Sequence, residues 1–402
     1  MEPISIPSYV SIGLLIGKKG VAIKEANTQF SAKIFIKNNK IIVRNCTEDS
    51  YNSIKSYYTD IFNRFLPYYN YWNTPSISYE NESKRPICID ALNISDYFLN
   101  NKWDLKKMFN EVKIFVEAFK RADIKIVIFI DGSTSSQECL DKWKSRRENE
   151  LVNRKKSIPH GWSSILGDMF KMLDIETHYS INDCDDTIAE YAYMNKYNIL
   201  SSDKDFYRYK CKDTRPFLIF NGVNYKTDEF KLLYRTKTEY VAVKGAQINL
   251  NGELLETITH HPFLISLKTN EYFRGIPTES VRDRGNPHIF FKEFRSAVFY
   301  KLGFKNDIEE TFLIWNNERN EPEWVTSKNT PIENNELIDN PQKCIDDYGG
   351  ILPTDSFKYV LGVKAVYYEL YQLLNPNTTL YELLTKSDNT EEVTDVLEQL
   401  QI

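Results

Sequence analysis

Ile126-Val127-Ile128-Phe129-Ile130-Asp131-Gly132 is the stretch on which the fold turns. Five β-branched or aromatic residues in an unbroken run read as a strand buried on both faces, and such strands belong to parallel sheets covered by helices. The run stops at Asp-Gly, a pair that favours a turn. Outward from it the same unit recurs, with strands at 86–90, 125–131, 175–179, 198–202 and 216–220. Helices fall near 104–122, 138–156, 163–174 and 185–196. Alternating strands and helices require a mainly parallel α/β/α sheet, so the expected fold class is α/β.

An aspartate stands where most of these strands stop. Asp90 ends Pro86-Ile87-Cys88-Ile89-Asp90, and Asp131 ends the central run. Asp183 and Asp185 straddle Cys184 after the strand at 175–179, and Asp203 and Asp205 follow 198–202. Ligands of open α/β sheets lie beyond the carboxyl ends of the strands, so these six could converge. Alone, each would read as a helix cap or turn former. Repeated at successive strand ends, they read as a ligand set. Like charges raise one another's pKa, and divalent cations relieve that repulsion. Oxygen-only ligands favour Mg²⁺ or Mn²⁺ over zinc. Two such ions roughly 4 Å apart can activate a water and stabilise the leaving oxygen in phosphodiester hydrolysis.

The helix after Asp131 carries Lys142, Lys144, Arg146 and Arg147. Lys142 and Arg146 are i, i+4, so both can reach one phosphate and stabilise charge developing on it. Arg147 is a further nucleic-acid contact on this reading. The alternative is a solvated, salt-bridged face, with Glu148 and Glu150 nearby. Trp143 has two readings, base stacking or core packing.

Residues 3–66 read as a small α+β unit: a strand over 4–12, a helix over 21–29, a hairpin of 32–36 and 40–43 round Asn38-Asn39, and a helix over 47–65. Between the first strand and helix stands Gly17-Lys18-Lys19-Gly20. Glycines let backbone approach a phosphate closely, the following helix offers its N–H groups, and Lys18, Lys19 and Lys24 add charge. The tract 67–85, with Pro75 and many Tyr, Asn and Ser, reads as a linker. Residues 225–402 read as a mixed, mostly helical region with a low-apolar loop near 316–345. The expected divisions are therefore 1–66, 67–85, 86–224 and 225–402.

Composition bounds the class. The chain has 402 residues, 42% hydrophobic and 27% charged, which suits globular domains rather than disorder. No apolar run approaches the roughly 20 residues a membrane span needs, and no leader opens the chain. Six cysteines without a C-x-x-C pair argue against zinc and disulfides and for a reducing compartment, the cytoplasm, with the nucleus left open. The net charge of −5 conceals a layout: residues 1–85 hold 11 basic against 7 acidic residues, and the remainder 40 against 49. A basic head on an acidic body suits nucleic-acid contact.

Residues 3–66 resemble the KH domain, through Ile6-Pro7, Ile12, Ile16, the Gly17–Gly20 loop, Ile23-Lys24 and Ala32-Lys33-Ile34. The resemblance implies a groove clamping about four nucleotides of single-stranded nucleic acid. Residues 86–210 resemble the PIN-like nuclease core of the flap-endonuclease (XPG) branch and its Asteroid-type relatives. The matching segments are Ile89-Asp90, Phe129-Ile130-Asp131-Gly132, Met172-Leu173-Asp174-Ile175, Asp183-Cys184-Asp185, Ile188-Ala189 and Leu200-Ser201-Ser202-Asp203-Lys204-Asp205-Phe206. That resemblance implies a two-metal role for Asp90, Asp131, Asp183, Asp185, Asp203 and Asp205, and a phosphate role for Lys142 and Arg146. Asp183 stands where the family usually has Glu, and no helix–two-turn–helix pattern follows residue 210. The expectation is a metal-dependent nuclease acting on single-stranded RNA, with a KH-like capture module. A non-catalytic RNA-binding regulator, using 225–402 as a protein-partner surface, is the rival of another class. A structure-specific DNA nuclease keeps the core and changes the substrate.

Overall fold

A computed structural model describes residues 1–75, 84–99, 104–132, 137–153, 161–181, 183–212, 214–227, 229–237, 241–258, 272–275, 289, 291–339, 372, 374–375 and 377–379. Residues 76–83 of the expected linker, Cys344 and nearly all of 340–402 lie outside the described residues. The elements begin β1 (Ile4–Ser5), α1 (Ile12–Ile16), α2 (Val21–Gln29), β2 (Lys33–Lys37), β3 (Lys40–Arg44) and α3 (Glu48–Asn73). They continue with β4 (Ile87–Asp90), α4 (Leu105–Arg121), β5 (Ile126–Asp131), α5 (Gln137–Asn153), α6 (Trp162–Lys171), β6 (Thr177–Ser180) and α7 (Cys184–Asn195). Then come β7 (Asn198–Leu200), β8 (Tyr209–Lys210), β9 (Ile219–Phe220), β10 (Gly222–Asn224), β11 (Lys231–Leu233), β12 (Ile248–Asn249) and β13 (Thr257–Ile258). The last are β14 (Tyr272–Gly275), α8 (Lys292–Lys301), β15 (Ile308–Asn316), β16 (Glu321–Asn329) and α9 (Asn335–Asp339). The chain divides into two units, Met1–Ile87 with Ala189–Leu254 and Cys88–Ile188 with Leu255–Ile402.

In the first unit, β1, β3 and β2 form an antiparallel sheet in that order, with α2 and α3 supplying its apolar cover. Asn38 and Asn39 both take positive φ, 50° and 58°, the geometry a two-residue hairpin turn demands. Two boundaries differ from the sequence reading. The strand expected over 4–12 stops at Ser5, because Pro7 has no N–H for a ladder and Val10 N–H turns back to Pro7 O. The helix expected to end near 65 runs through Pro67 to Asn73. Packing overrides the proline there: Tyr71 Oη donates to Phe217 O at 2.9 Å, and Arg215 Nε donates to Tyr71 O at 3.2 Å. Tyr207 lies edge-on to Tyr68 and Tyr71, with centroids 4.7 and 4.9 Å away. In the same unit β7 and β9 pair in parallel, and β10 and β11 form an antiparallel ribbon.

In the second unit β5 is parallel to β6, with Ile128 opposite Thr177 and Asp131 opposite Ser180. β13 pairs antiparallel on the far side of β6. Ile126 to Ile130 are all buried, as the unbroken apolar run requires. α4 covers the core with Met108, Val112, Phe115 and Phe119 at helical spacing, capped by Asp104, which accepts from Lys107 N at 3.1 Å. α6 comes so close that a Cβ on Gly167 would sit 2.1 Å from Tyr179 Oη and 2.9 Å from Ile130 Cδ1. The mainly parallel α/β architecture is thus observed. No helix among the described residues is long and apolar enough to cross a membrane.

The sequence reading of 316–345 as loop is corrected, since β15 and β16 form a long antiparallel hairpin whose second strand reaches Asn329. β16 is mostly polar and half-exposed, so alternation was faint, while β15 carries the buried Ile308, Phe312 and Leu313. The described residues of 225–402 hold both strands and helices, a mixed region. Under the hairpin, the fully buried Arg295 donates through Nε and Nη2 to Glu310 at 2.6 and 2.9 Å, and Asn329 Nδ2 adds a bond at 2.9 Å. Removing one member of such a pair strands the other charge. Glu310→Ala is expected to lower unfolding free energy by about 3–5 kcal/mol in a denaturant titration. The paired apolar replacement Arg295→Met with Glu310→Leu is expected to recover most of that loss.

Candidate functional site

The front loop has the backbone its glycines were expected to provide. Gly17 sits at φ 73°, and a Cβ there would lie 2.8 Å from Ala22 Cβ and 2.9 Å from Ala22 N. Gly20 sits at φ 79° and Lys19 at 56°, so the chain passes through left-handed turns before α2 starts at Val21. Lys18, Lys19 and Lys24 are exposed around it. Ile12, Leu14 and Val21 are exposed beside them, Ile16 and Ile23 are half-buried, and Ile34 belongs to the core.

The strand-end aspartates stand where the sequence placed them. Asp90 is the last residue of β4 and accepts from Asn93 N at 3.3 Å. Asp131 is the last residue of β5. Asp183 precedes α7, and its Oδ1 accepts from Asp185 N at 3.0 Å. Asp203 follows β7 and makes the same turn, its Oδ1 accepting from Asp205 N at 2.9 Å. Asp205 Oδ1 also accepts from Lys244 N at 3.1 Å.

Electrostatics tie four of the six together within the second unit. Burial, and then the charges of Asp131, Asp90 and Asp185, push the Cys184 thiol well above its ordinary range, against a hydrogen bond with Ser180. Asp131 reaches solvent at the strand end, but protein crowds its other sides. That desolvation, and then the charge of Asp183, raises its pKa to about 6, while Arg146 and Arg147 pull it down. Asp90, Asp131, Asp183 and Asp185 are therefore within electrostatic reach around Cys184, and Arg146 and Arg147 within reach of Asp131. Asp203 and Asp205 belong to the other unit. Among the described residues, no group of three or more His, Cys, Asp or Glu side chains stands close enough to hold a metal ion.

The basic helix α5 is held from behind. Trp324 Nε1 donates to Glu148 Oε1 at 2.7 Å, Lys144 Nζ lies 5.4 Å from the Trp324 ring centroid, and Leu151 is buried against Leu313. At about 100° per residue, 144, 148 and 151 share one face, and 142 and 146 fall on the opposite one. Lys142 and Arg146 are exposed there. Arg147 pairs with Glu150 at 2.7 Å, and burial, its largest influence, lowers its pKa. The salt-bridged reading thus holds for Arg147 with Glu150. The Trp143 side chain lies outside the described residues. Sequence reasoning did not single out Cys184 as the centre of the acidic cluster, nor the brace from Trp324. The first was legible between Asp183 and Asp185; the second depends on a contact spanning 176 positions, which no local pattern signals.

No protein-family model and no curated protein matches the chain. Among solved structures it is similar to the catalytic core of Rad2 in complex with DNA substrate. Complex IV aligns at TM-score 0.24 and 13% identity, covering 38% of this chain and 44% of that one. Complex II aligns at 0.22 and 17%, covering 32% and 40%, and complex III at 0.21 and 14%, covering 33% and 42%. The alignments span less than half of each of those chains.

The raised Asp131 pKa has a stability consequence in chelator-treated protein. The folded state holds the Asp131 proton more tightly than the unfolded state does, so its contribution is fully present below about pH 3.8 and lost as pH rises through about 6. Asp131→Asn removes that loss. In urea titrations the variant is expected to gain stability relative to the parent between pH 4 and pH 7 (roughly the window of the shift), whereas a constant difference would contradict the assignment.

Proposed function

We propose that this chain is a divalent-metal-dependent nuclease that hydrolyses phosphodiester bonds in single-stranded nucleic acid, RNA ahead of DNA. The carrying observation is the cluster of Asp90, Asp131, Asp183 and Asp185 around Cys184, with Arg146 and Arg147 beside Asp131. Residues 86–224 are the proposed nuclease core. Residues 1–66 are the proposed capture module, a KH-like domain. Its support is the order β-α-α-β-β-α, the sheet order β1-β3-β2, and the left-handed Gly17–Gly20 loop with exposed lysines. The proposed setting is the cytoplasm.

The donor chemistry fits a hard cation: carboxylates only, one of them pushed toward protonation by burial and then by the charge of Asp183. Asp90, Asp131, Asp183 and Asp185 in the second unit, and Asp203 and Asp205 in the first, are each proposed as Mg²⁺ or Mn²⁺ ligands. Such ions supply charge neutralisation and a more acidic water. The remaining work falls to the chain itself. Lys142 and Arg146, on the outward face of α5, bind the phosphate and offset charge developing on its oxygens. Gly17, Lys18, Lys19, Gly20 and Lys24 hold the strand backbone. The second reading is a non-catalytic single-strand RNA binder.

Purified full chain with Mn²⁺ or Mg²⁺ is expected to cleave labelled single-stranded RNA, and Asp203→Ala and Asp131→Asn to abolish cleavage while binding persists. Binding without cleavage of RNA, single-stranded DNA or flap duplex would transfer the case to the second reading. Lys18→Asp with Lys19→Asp is expected to weaken single-strand binding at least tenfold with an unchanged melting temperature. Equal affinity would remove the capture module.

A further inference from the structure

We propose that the β10–β11 ribbon and the far end of α3 form a second single-strand contact, which extends the footprint of the capture loop. The proposal builds on the capture reading above and assigns a role to residues it leaves unassigned. Its basis is chemical. Residues 210–237 hold seven Lys or Arg against three Asp or Glu, in a chain of net charge −5. In the ribbon Asn224 pairs with Lys231 and Gly222 with Leu233, so Lys231 and Leu233 share one face. Both are exposed, as is Lys237. Among the described residues, Lys231, Arg235 and Lys237 form no ion pair.

Flat rings accompany these charges. Tyr234 is 59% exposed, an unusual state for a large aromatic side chain, and its ring lies 6.3 Å from that of Trp72. The Arg215 guanidinium sits 4.7 Å from the centroid of Trp72 and 4.8 Å from that of Tyr71. Trp72 Nε1 has no hydrogen-bond acceptor among the described residues. Of these rings Tyr71 is buried, Trp72 half-buried and Tyr234 exposed, so Tyr234 offers the stacking face. An exposed ring beside Lys and Arg is the element of a sequence-tolerant single-strand site, in which bases stack and phosphates meet the cations.

The occupant follows from charge and from connection. The patch is basic, so it suits a polyanion. It also belongs to the same unit as the Gly17–Gly20 loop, joined to it by α3, whose 26 residues span about 39 Å. A KH-like groove clamps about four nucleotides, so only a longer strand could occupy both places.

That difference in length is the test. Fluorescence anisotropy would compare the full chain and its variants on a 4-nucleotide and a 15-nucleotide uridylate, with 15-nucleotide thymidylate as the DNA arm. Tyr234→Ala, and separately Lys231→Glu with Lys237→Glu, are expected to weaken the 15-mer at least about fivefold and leave the 4-mer unchanged. Tyr234→Phe is expected to restore the parent affinity, which excludes a folding defect. Lys18→Asp with Lys19→Asp is expected to weaken both lengths. An unchanged 15-mer affinity in both ribbon variants overturns the ribbon proposal, as does equal weakening of both lengths. Ribbon variants that matter while the loop variant does not would overturn the capture module and leave the ribbon standing. Loss of thymidylate binding alone would assign the patch to DNA.

Discussion

Burial of β5 is the constraint from which the second unit follows. A strand whose side chains are apolar on both faces needs helices above and below, and a partner for each backbone N–H and C=O. The five residues from Ile126 to Ile130 have no polar alternative and are all buried: α6 packs on β5, α4 packs against α6 through Phe115 and Phe170, and β6 pairs in parallel alongside. The close seat of Gly167 against Tyr179 and Ile130 shows how little space remains. Asp131 is then fixed by exclusion: it is the first residue of the run that cannot be buried at low cost, so it marks the point where the strand leaves the core. Its perturbed pKa arises from that position.

The first unit depends on α3 in a different way. An isolated helix of this length would break at Pro67, which removes a backbone bond. Tyr68 and Tyr71 enclose Tyr207, the Tyr71 hydroxyl reaches Phe217 O, and Val243 N–H reaches Arg64 O at 2.7 Å. Several contacts of about 1 kcal/mol each offset the proline defect. The helix that closes the front module therefore also anchors the turn holding Asp205. The Gly17–Gly20 loop, the β10–β11 ribbon and the Asp203-Asp205 turn share one unit.

Strong periodicity was legible and long-range compensation was not. The strands 87–90 and 126–131 and the helices 105–121 and 184–195 fall within a few residues of their sequence-based positions, because each rests on a local apolar pattern. The extension of α3 past Pro67 was invisible, since its support comes from residues 207, 217 and 243. β16 was invisible for the opposite reason: its side chains are polar, and the pairing with β15 sets its conformation. The aspartates were legible individually as strand ends. Their grouping into four around Cys184 is a property of the sheet, which orders β4, β5 and β6 so that their carboxyl ends lie side by side.

The two readings of an Asp-x-Asp turn, structural and functional, need not compete. In Asp183-Cys184-Asp185 and Asp203-Lys204-Asp205 the first carboxylate accepts the N–H two residues on, at 3.0 and 2.9 Å. That bond is the local turn for which aspartate is favoured, and it fixes the rotamer of the side chain. A carboxylate fixed through Oδ1 loses less conformational freedom when Oδ2 engages a cation than a mobile one would. The length of the Asp183 side chain follows from the same turn. A glutamate, one methylene longer, could not close the same two-residue turn with its carboxylate. The shorter side chain gives up reach and gains orientation. An Asp183→Glu exchange would therefore lose that bond and loosen the start of α7 at Asp185.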